Sequence, residues 1–166
     1  MSDTNKFFIS ENNVPLQESF QFGLSVDCVV FGYHEGRVRV LLIERDAAPY
    51  RGSWALPGDL VSLEEDLRIS ASSILTKLTG LKDIFMEQFF TFGTVDRHPA
   101  GRVATVAYYS LVKSDNYEPV ASSWAKSTRW FDIDDLPDLA FDHEVILTKG
   151  LRTLQRRVRY RPVGFE

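Results

Sequence analysis

Two strand-like runs, Leu24–Tyr33 (LSVDCVVFGY) and Arg37–Glu44 (RVRVLLIE), lie three residues apart and constrain this chain more than any other feature. The first is rich in β-branched and aromatic residues and the second alternates at its start. His34-Glu35-Gly36 between them supplies a turn, so the pair predicts an antiparallel hairpin. A loop with Pro49 and Gly52 follows, and then a helix over Leu63–Thr79. Leu67, Ala71, Ile74, Leu75 and Leu78 recur there at helical spacing, Glu64, Glu65 and Asp66 fill the first turn, and Gly80 is the stop. Further strands are predicted at 84–92, 103–113 and 127–132. A last helix starts from an N-cap at Asp142, with Leu147, Leu151, Leu154 and Val158 on one face. Strands interrupted by two helices make an α+β domain with helices layered on a sheet.

A length of 166 residues suits one domain, with residues 1–19 as a polar N-terminal extension and 20–166 as the folded unit. Apolar residues at 44% and charged residues at 25% exclude disordered and fibrous classes. No run approaches the roughly 18 apolar residues of a membrane span, and the start lacks the plan of a signal peptide, so a cytoplasmic protein without a membrane partner is expected. Cys28 alone excludes an internal disulfide and a zinc cluster, and its apolar neighbours mark a buried strand position. The net charge of −4 is uneven: residues 1–148 hold 13 Lys/Arg and 22 Asp/Glu, whereas 149–166 hold 6 and 1.

The stretch Trp54–Leu81, WALPGDLVSLEEDLRISASSILTKLTGL, resembles the Nudix signature in its loop, helix and closing glycine. With Gly80-Leu81 as anchor, the two opening glycines fall on Gly58 and Asp59, the first glutamate on Glu65, and the Arg-Glu-apolar-x-Glu-Glu core on residues 73–78. In the family, glutamates three and four residues apart share a helix face and hold Mg²⁺ against a diphosphate; the metals neutralise phosphate charge and activate the attacking water. Here Ser73 stands for the arginine, and Ile74, Lys77 and Leu78 for the glutamates. Ile and Leu offer no ligand atom and Lys repels a cation, so no catalytic residue, metal or cofactor is expected. The alternative is a Mg²⁺-dependent nucleoside diphosphate-X pyrophosphatase with an atypical site built from Asp59, Glu64 and Glu65; otherwise these carboxylates simply favour the helix start.

Two further runs, MEQFFTFGTVDRHPAGRVATVAYYSLV (86–112) and FDHEVILTKGLRTLQRRVRYRPVGFE (141–166), resemble the Nudix-like sensor domain of bacterial transcriptional regulators of NAD and pentose metabolism. The resemblance covers roughly residues 22–166. It implies a Nudix α/β/α sandwich with a mixed, largely antiparallel sheet, inactive or weakly active as an enzyme. It further implies a homodimer that binds ADP-ribose or a pentose such as arabinose as its effector. In that family a winged helix-turn-helix follows, so DNA is expected to be reached only through a C-terminal domain beyond Glu166.

The candidate ligand-binding residues are Arg45, Trp54, Asp59, Phe90, Phe92, Arg97, Arg102 and Tyr108. Arg45 closes the second strand beside the signature and suits a phosphate. Trp54 suits either stacking on a ring or core packing. Phe90 and Phe92 sit at i and i+2 and so share one face of their strand, with Phe89 opposite. Arg97, His98 and Arg102 flank the Pro99-Ala100-Gly101 turn, where guanidiniums grip phosphates bidentately or simply meet solvent. Tyr108 and Tyr109 point to opposite faces. Asp142-His143-Glu144 reads as a helix start rather than a catalytic cluster. Lys149, Arg152, Arg156, Arg157, Arg159 and Arg161 form a basic end, read as solvated or as supporting a neighbouring DNA-binding domain.

Overall fold

The computed structural model describes residues 23–160. The expected N-terminal extension, Arg161 and the rest of the chain end lie outside the described residues. The hairpin is formed by β1 (Gly23–His34) and β2 (Arg37–Arg45), with His34 opposite Arg37. Glu35 and Gly36 both take positive φ, 46° and 82°, which a two-residue loop of this hand requires.

On its other edge β1 pairs in parallel with β6 (Val103–Lys113) along Gly23–Tyr33. Antiparallel β5 (Glu87–Phe92) extends the sheet beyond β6. The edge of β1 that meets β2 at Phe31–His34 is taken at Ser25–Asp27 by β4 (Gly58–Leu60), while β3 (Trp54–Ala55) pairs with the far end of β2. The two hairpin strands are therefore splayed apart, and the β3–β4 segment fills the gap. β7 (Ala125–Asp132) closes the far side of β2. The sheet is mixed and mainly antiparallel.

Period-two alternation builds two cores. Val26, Cys28 and Val30 of β1 and Leu41 and Ile43 of β2 face α1 (Leu67–Thr79), whose Ala71, Ile74, Leu75 and Leu78 they bury. Val29, Phe31, Val40 and Leu42 face the opposite way, onto Ile146, Leu147 and Leu154 of α2 (His143–Tyr160). Tyr108 and Tyr109 join opposite cores, as the strand pattern predicts. The molecule is an α/β/α sandwich, and among the described residues no helix is long and apolar enough to cross a membrane.

Four expectations need correction. Helix α1 begins at Leu67, four residues later than its sequence suggests, because Asp66 is extended (ψ 147°) and Glu65 lies beside the helix, accepting the Ser70 and Ser73 hydroxyls at 3.0 and 3.4 Å. Strand β5 begins at Glu87 rather than at 84, since Ile84 and Met86 drop into the α1-side core before pairing starts. A register shift between Gln88 and Phe90 breaks the alternation, so Phe89 packs with Phe92 in the α2-side core instead of opposing it. Val158 is 54% exposed, one turn beyond Leu154, the last buried residue of α2. The remaining stop signals hold: Gly80 (φ 72°) caps α1, its N–H donating to the Thr76 carbonyl at 2.8 Å.

Candidate functional site

Where β1 and β2 part, the chain leaves a cavity of about 430 Å³. Its walls come from segments remote in sequence: Arg45 at the end of β2 with the Ala47–Pro49 loop after it, Asp27 of β1, Gly58 and Asp59 of β4, Arg97 and His98, Trp124, and Phe141 and His143 at the start of α2.

Arg45 is the centre. Strand alternation puts its side chain on the face of Leu41 and Ile43, where Trp124 and Phe141 also pack, and the extra residue at this point, Lys126, belongs to β7. The residue is only 9% exposed, and its guanidinium carbon lies 4.7 Å from the Trp124 ring and 4.9 Å from the Phe141 ring. Its Nε donates to the Pro49 carbonyl at 2.9 Å, and among the described residues it forms no ion pair. Burial pulls its pKa down, partly opposed by the carboxylates of Asp59 and Asp27. A guanidinium over two rings, its terminal nitrogens without a partner among the described residues, is pre-oriented for bidentate binding of an oxyanion. Asp59 supports the arrangement: its carboxylate accepts the Trp124 indole N–H at 3.1 Å and the Leu60 N–H at 2.8 Å.

Beneath Arg45 lies a buried ionic cluster. Arg97 clasps Asp142 through Nε and Nη2 at 2.9 and 2.7 Å and reaches Asp27 at 3.5 Å. Leu56 donates its N–H to His143 Nδ1 at 2.9 Å, so the ring proton sits on Nε2, which faces Asp27 Oδ1 at 3.4 Å. Burial holds the His143 pKa below that of a free imidazole, against the pull of Asp27 and Asp142. Gly58 is required here because a Cβ would collide with the Asp27 carboxylate and with the Val26 carbonyl, 2.7 Å away. Phe141 takes a φ of 56°, rare for an aromatic residue, beside the clamped Asp142, and His98 stacks on it at 5.0 Å.

Of the candidates read from sequence, the structure brings Arg45, Asp59 and Arg97 to one cavity, with His98. It does not bring the others there. Trp54 packs edge-on against Phe131 under Arg129, Phe92 and Tyr108 are core residues, Phe90 lies under the Lys149 ammonium at 3.9 Å, and Arg102 is exposed. Asp142 begins α2 through its carbonyl, which accepts the Val145 and Ile146 N–H groups, while its carboxylate belongs to Arg97. Sequence reading missed Asp27, Trp124 and Phe141. Only Asp27 carried a signal, a charge inside an otherwise apolar strand.

No protein-family model matches the chain. An ADPR-responsive transcriptional repressor of Acinetobacter baylyi, NtrR, is 31% identical over 82% of this chain and 56% of its own length, so the chain spans little more than half of that relative. The NUDIX domain of Shewanella oneidensis NrtR, solved with ADP ribose, superposes with a TM-score of 0.75 at 28% identity, covering 86% of this chain and 95% of that one. An ADP-ribose pyrophosphatase of Methanocaldococcus jannaschii is 32% identical over 74% of this chain and 72% of its own. The chain belongs to the Nudix superfamily.

Within that superfamily the magnesium site can be tested on the donors present. At the signature's glutamate positions Ile74 and Leu78 are buried in the α1-side core and Lys77 is exposed. The substitute carboxylates do not converge either: Glu65 is held by Ser70 and Ser73, Glu64 is exposed, and Asp59 is turned to Trp124. Among the described residues no three His, Cys, Asp or Glu side chains form a group able to hold a metal. The residues do not fit the Nudix magnesium cluster. Nudix helix, closing glycine and fold are kept, and Ser73 meets Glu65 where the signature has its Arg and first Glu.

Proposed function

We propose that this domain is the ADP-ribose-sensing unit of a transcriptional regulator and that it binds its effector without hydrolysing it by Nudix metal chemistry. The observation that carries this reading is Arg45, a buried guanidinium over the Trp124 and Phe141 rings and without an ion-pair partner among the described residues, in a cavity within the range of about 300–1,000 Å³ usual for ligands. A buried cation that no carboxylate contacts directly among the described residues favours a phosphate-bearing effector over a free pentose such as arabinose. The relatives' names supply the rest of the reading: one is an ADPR-responsive repressor and another structure holds ADP ribose. A cytoplasmic homodimer that reaches DNA through a further C-terminal domain is consistent with this role. The hydrolase reading finds support in the pyrophosphatase relative but lacks a set of metal donors in the described residues.

Titration calorimetry with ADP-ribose is the test, with and without Mg²⁺. Arg45→Gln should weaken binding about 10- to 100-fold, the equivalent of one charge-assisted bidentate contact. Arg45→Lys should recover part of that loss by keeping charge without the planar fork. Unchanged affinity in both variants removes Arg45 from the site. Release of AMP and ribose 5-phosphate by the unmodified protein at enzymatic rates in Mg²⁺ returns the domain to the hydrolases.

A further inference from the structure

The basic end of the chain is divided by the fold into cations that are used and cations that are not. Arg157 pairs with Glu87 of β5 at 2.8 Å, and the Lys149 ammonium sits 3.9 Å from the Phe90 ring; both fasten α2 to the sheet edge. Arg152, Arg156 and Arg159 are exposed, and among the described residues none of them has an ion-pair partner. Lys77, Lys82, Arg102 and Lys113 are also exposed without an ion pair among the described residues, but they are scattered over separate parts of the fold, whereas the three arginines share one helix.

At 100° per residue, Arg152, Arg156 and Arg159 fall within one narrow sector, opposite the buried Gly150 and Leu154. They stand about 6 and 4.5 Å apart along the axis. From Val145 to Tyr160 no acidic residue interrupts the helix. Like charges at i and i+4 cost a helix a few tenths of a kcal/mol, so the stripe opposes the helix locally except for the favourable dipole at its C-terminal end. An uninterrupted row of positive charge complements the phosphate backbone of a nucleic acid. The apolar face that a membrane-lying helix needs is already spent on the sheet, through Ile146, Leu147 and Leu154.

We propose that Arg152, Arg156 and Arg159 form a docking stripe for the phosphate backbone of duplex DNA, sequence-independent and separate from the effector cavity. Three neutralised phosphates give a salt slope of about −2.7, hence about a 40-fold loss of affinity between 50 and 200 mM salt. The test is fluorescence anisotropy of a short labelled random-sequence duplex with the full 166-residue chain across that salt range. The triple variant Arg152→Gln/Arg156→Gln/Arg159→Gln should flatten the slope and abolish most low-salt binding, with its melting temperature checked for integrity. Arg157→Gln, which removes a cation already paired, should leave the slope within error. Failure of the unmodified chain to bind at 50 mM salt, or an unaltered slope in the triple variant, overturns the proposal. Preferential capture by vesicles containing phosphatidylserine overturns it in favour of a membrane.

Discussion

At the scale of single residues, burial decides what each charged group can do. Arg45 and Arg97 line one cavity, yet Arg97 is neutralised by Asp142 and Asp27 while the terminal nitrogens of Arg45 meet no partner among the described residues. The two arginines look alike in sequence and differ only in what the fold sets beside them. His143 is the residue whose titration matters most. Its pKa is lowered by burial, so the unfolded chain takes up a proton before the native state does as pH falls. The native advantage is therefore complete above about pH 6.5, the free imidazole value, and is lost as pH drops from there through the folded pKa. His98 is shifted the same way by burial and by Arg97 and Arg45, and adds to the trend. The urea midpoint should fall between pH 7 and pH 5, and His143→Gln, which can still accept the Leu56 N–H, should reduce that slope.

Helix α1 is the element on which family resemblance and chemistry part company. Its apolar stripe was legible because Leu67, Ala71, Ile74, Leu75 and Leu78 recur at 3.6-residue spacing, and its end was legible in Gly80. Its start was not, since three consecutive acids look like a first turn whether or not the backbone is helical there. The substituted positions have unequal freedom. Leu78→Glu places a carboxylate in a fully buried site and should cost more than about 3 kcal/mol, whereas Lys77→Glu at the surface should stay within about 0.5 kcal/mol. Denaturant melts of the two variants check this. If Leu78→Glu is tolerated, the helix can present a metal-binding face after all.

For the whole molecule, the Asp27–Arg97–Asp142–His143 cluster joins three parts of the chain: β1, the loop before β6, and the start of α2. The Arg97 side chain is 3% exposed, so removing it strands two carboxylates in a poorly hydrated place. Arg97→Gln should therefore destabilise the whole domain by about 3–5 kcal/mol, visible as a lowered urea midpoint without effector. A variant that lost effector affinity at unchanged stability would instead assign Arg97 to the ligand. Through this cluster and His143–Leu56 the cavity wall is fixed to α2, whose far end carries the basic stripe.

The sequence alone determined the hairpin, the opposed faces of Tyr108 and Tyr109, both helices, and the loss of the Nudix glutamates. These depend on local periodicity, on turn residues and on side-chain chemistry at fixed spacing, all of which act within a few residues. Tertiary structure decided the cavity and the division of the charges. Asp27, Arg45, Arg97, Trp124 and Phe141 meet only because β1 and β2 splay around β3 and β4, and no short-range pattern encodes which guanidinium receives a carboxylate and which receives two aromatic rings. That choice is made by strand register and by the desolvation of whatever is brought together.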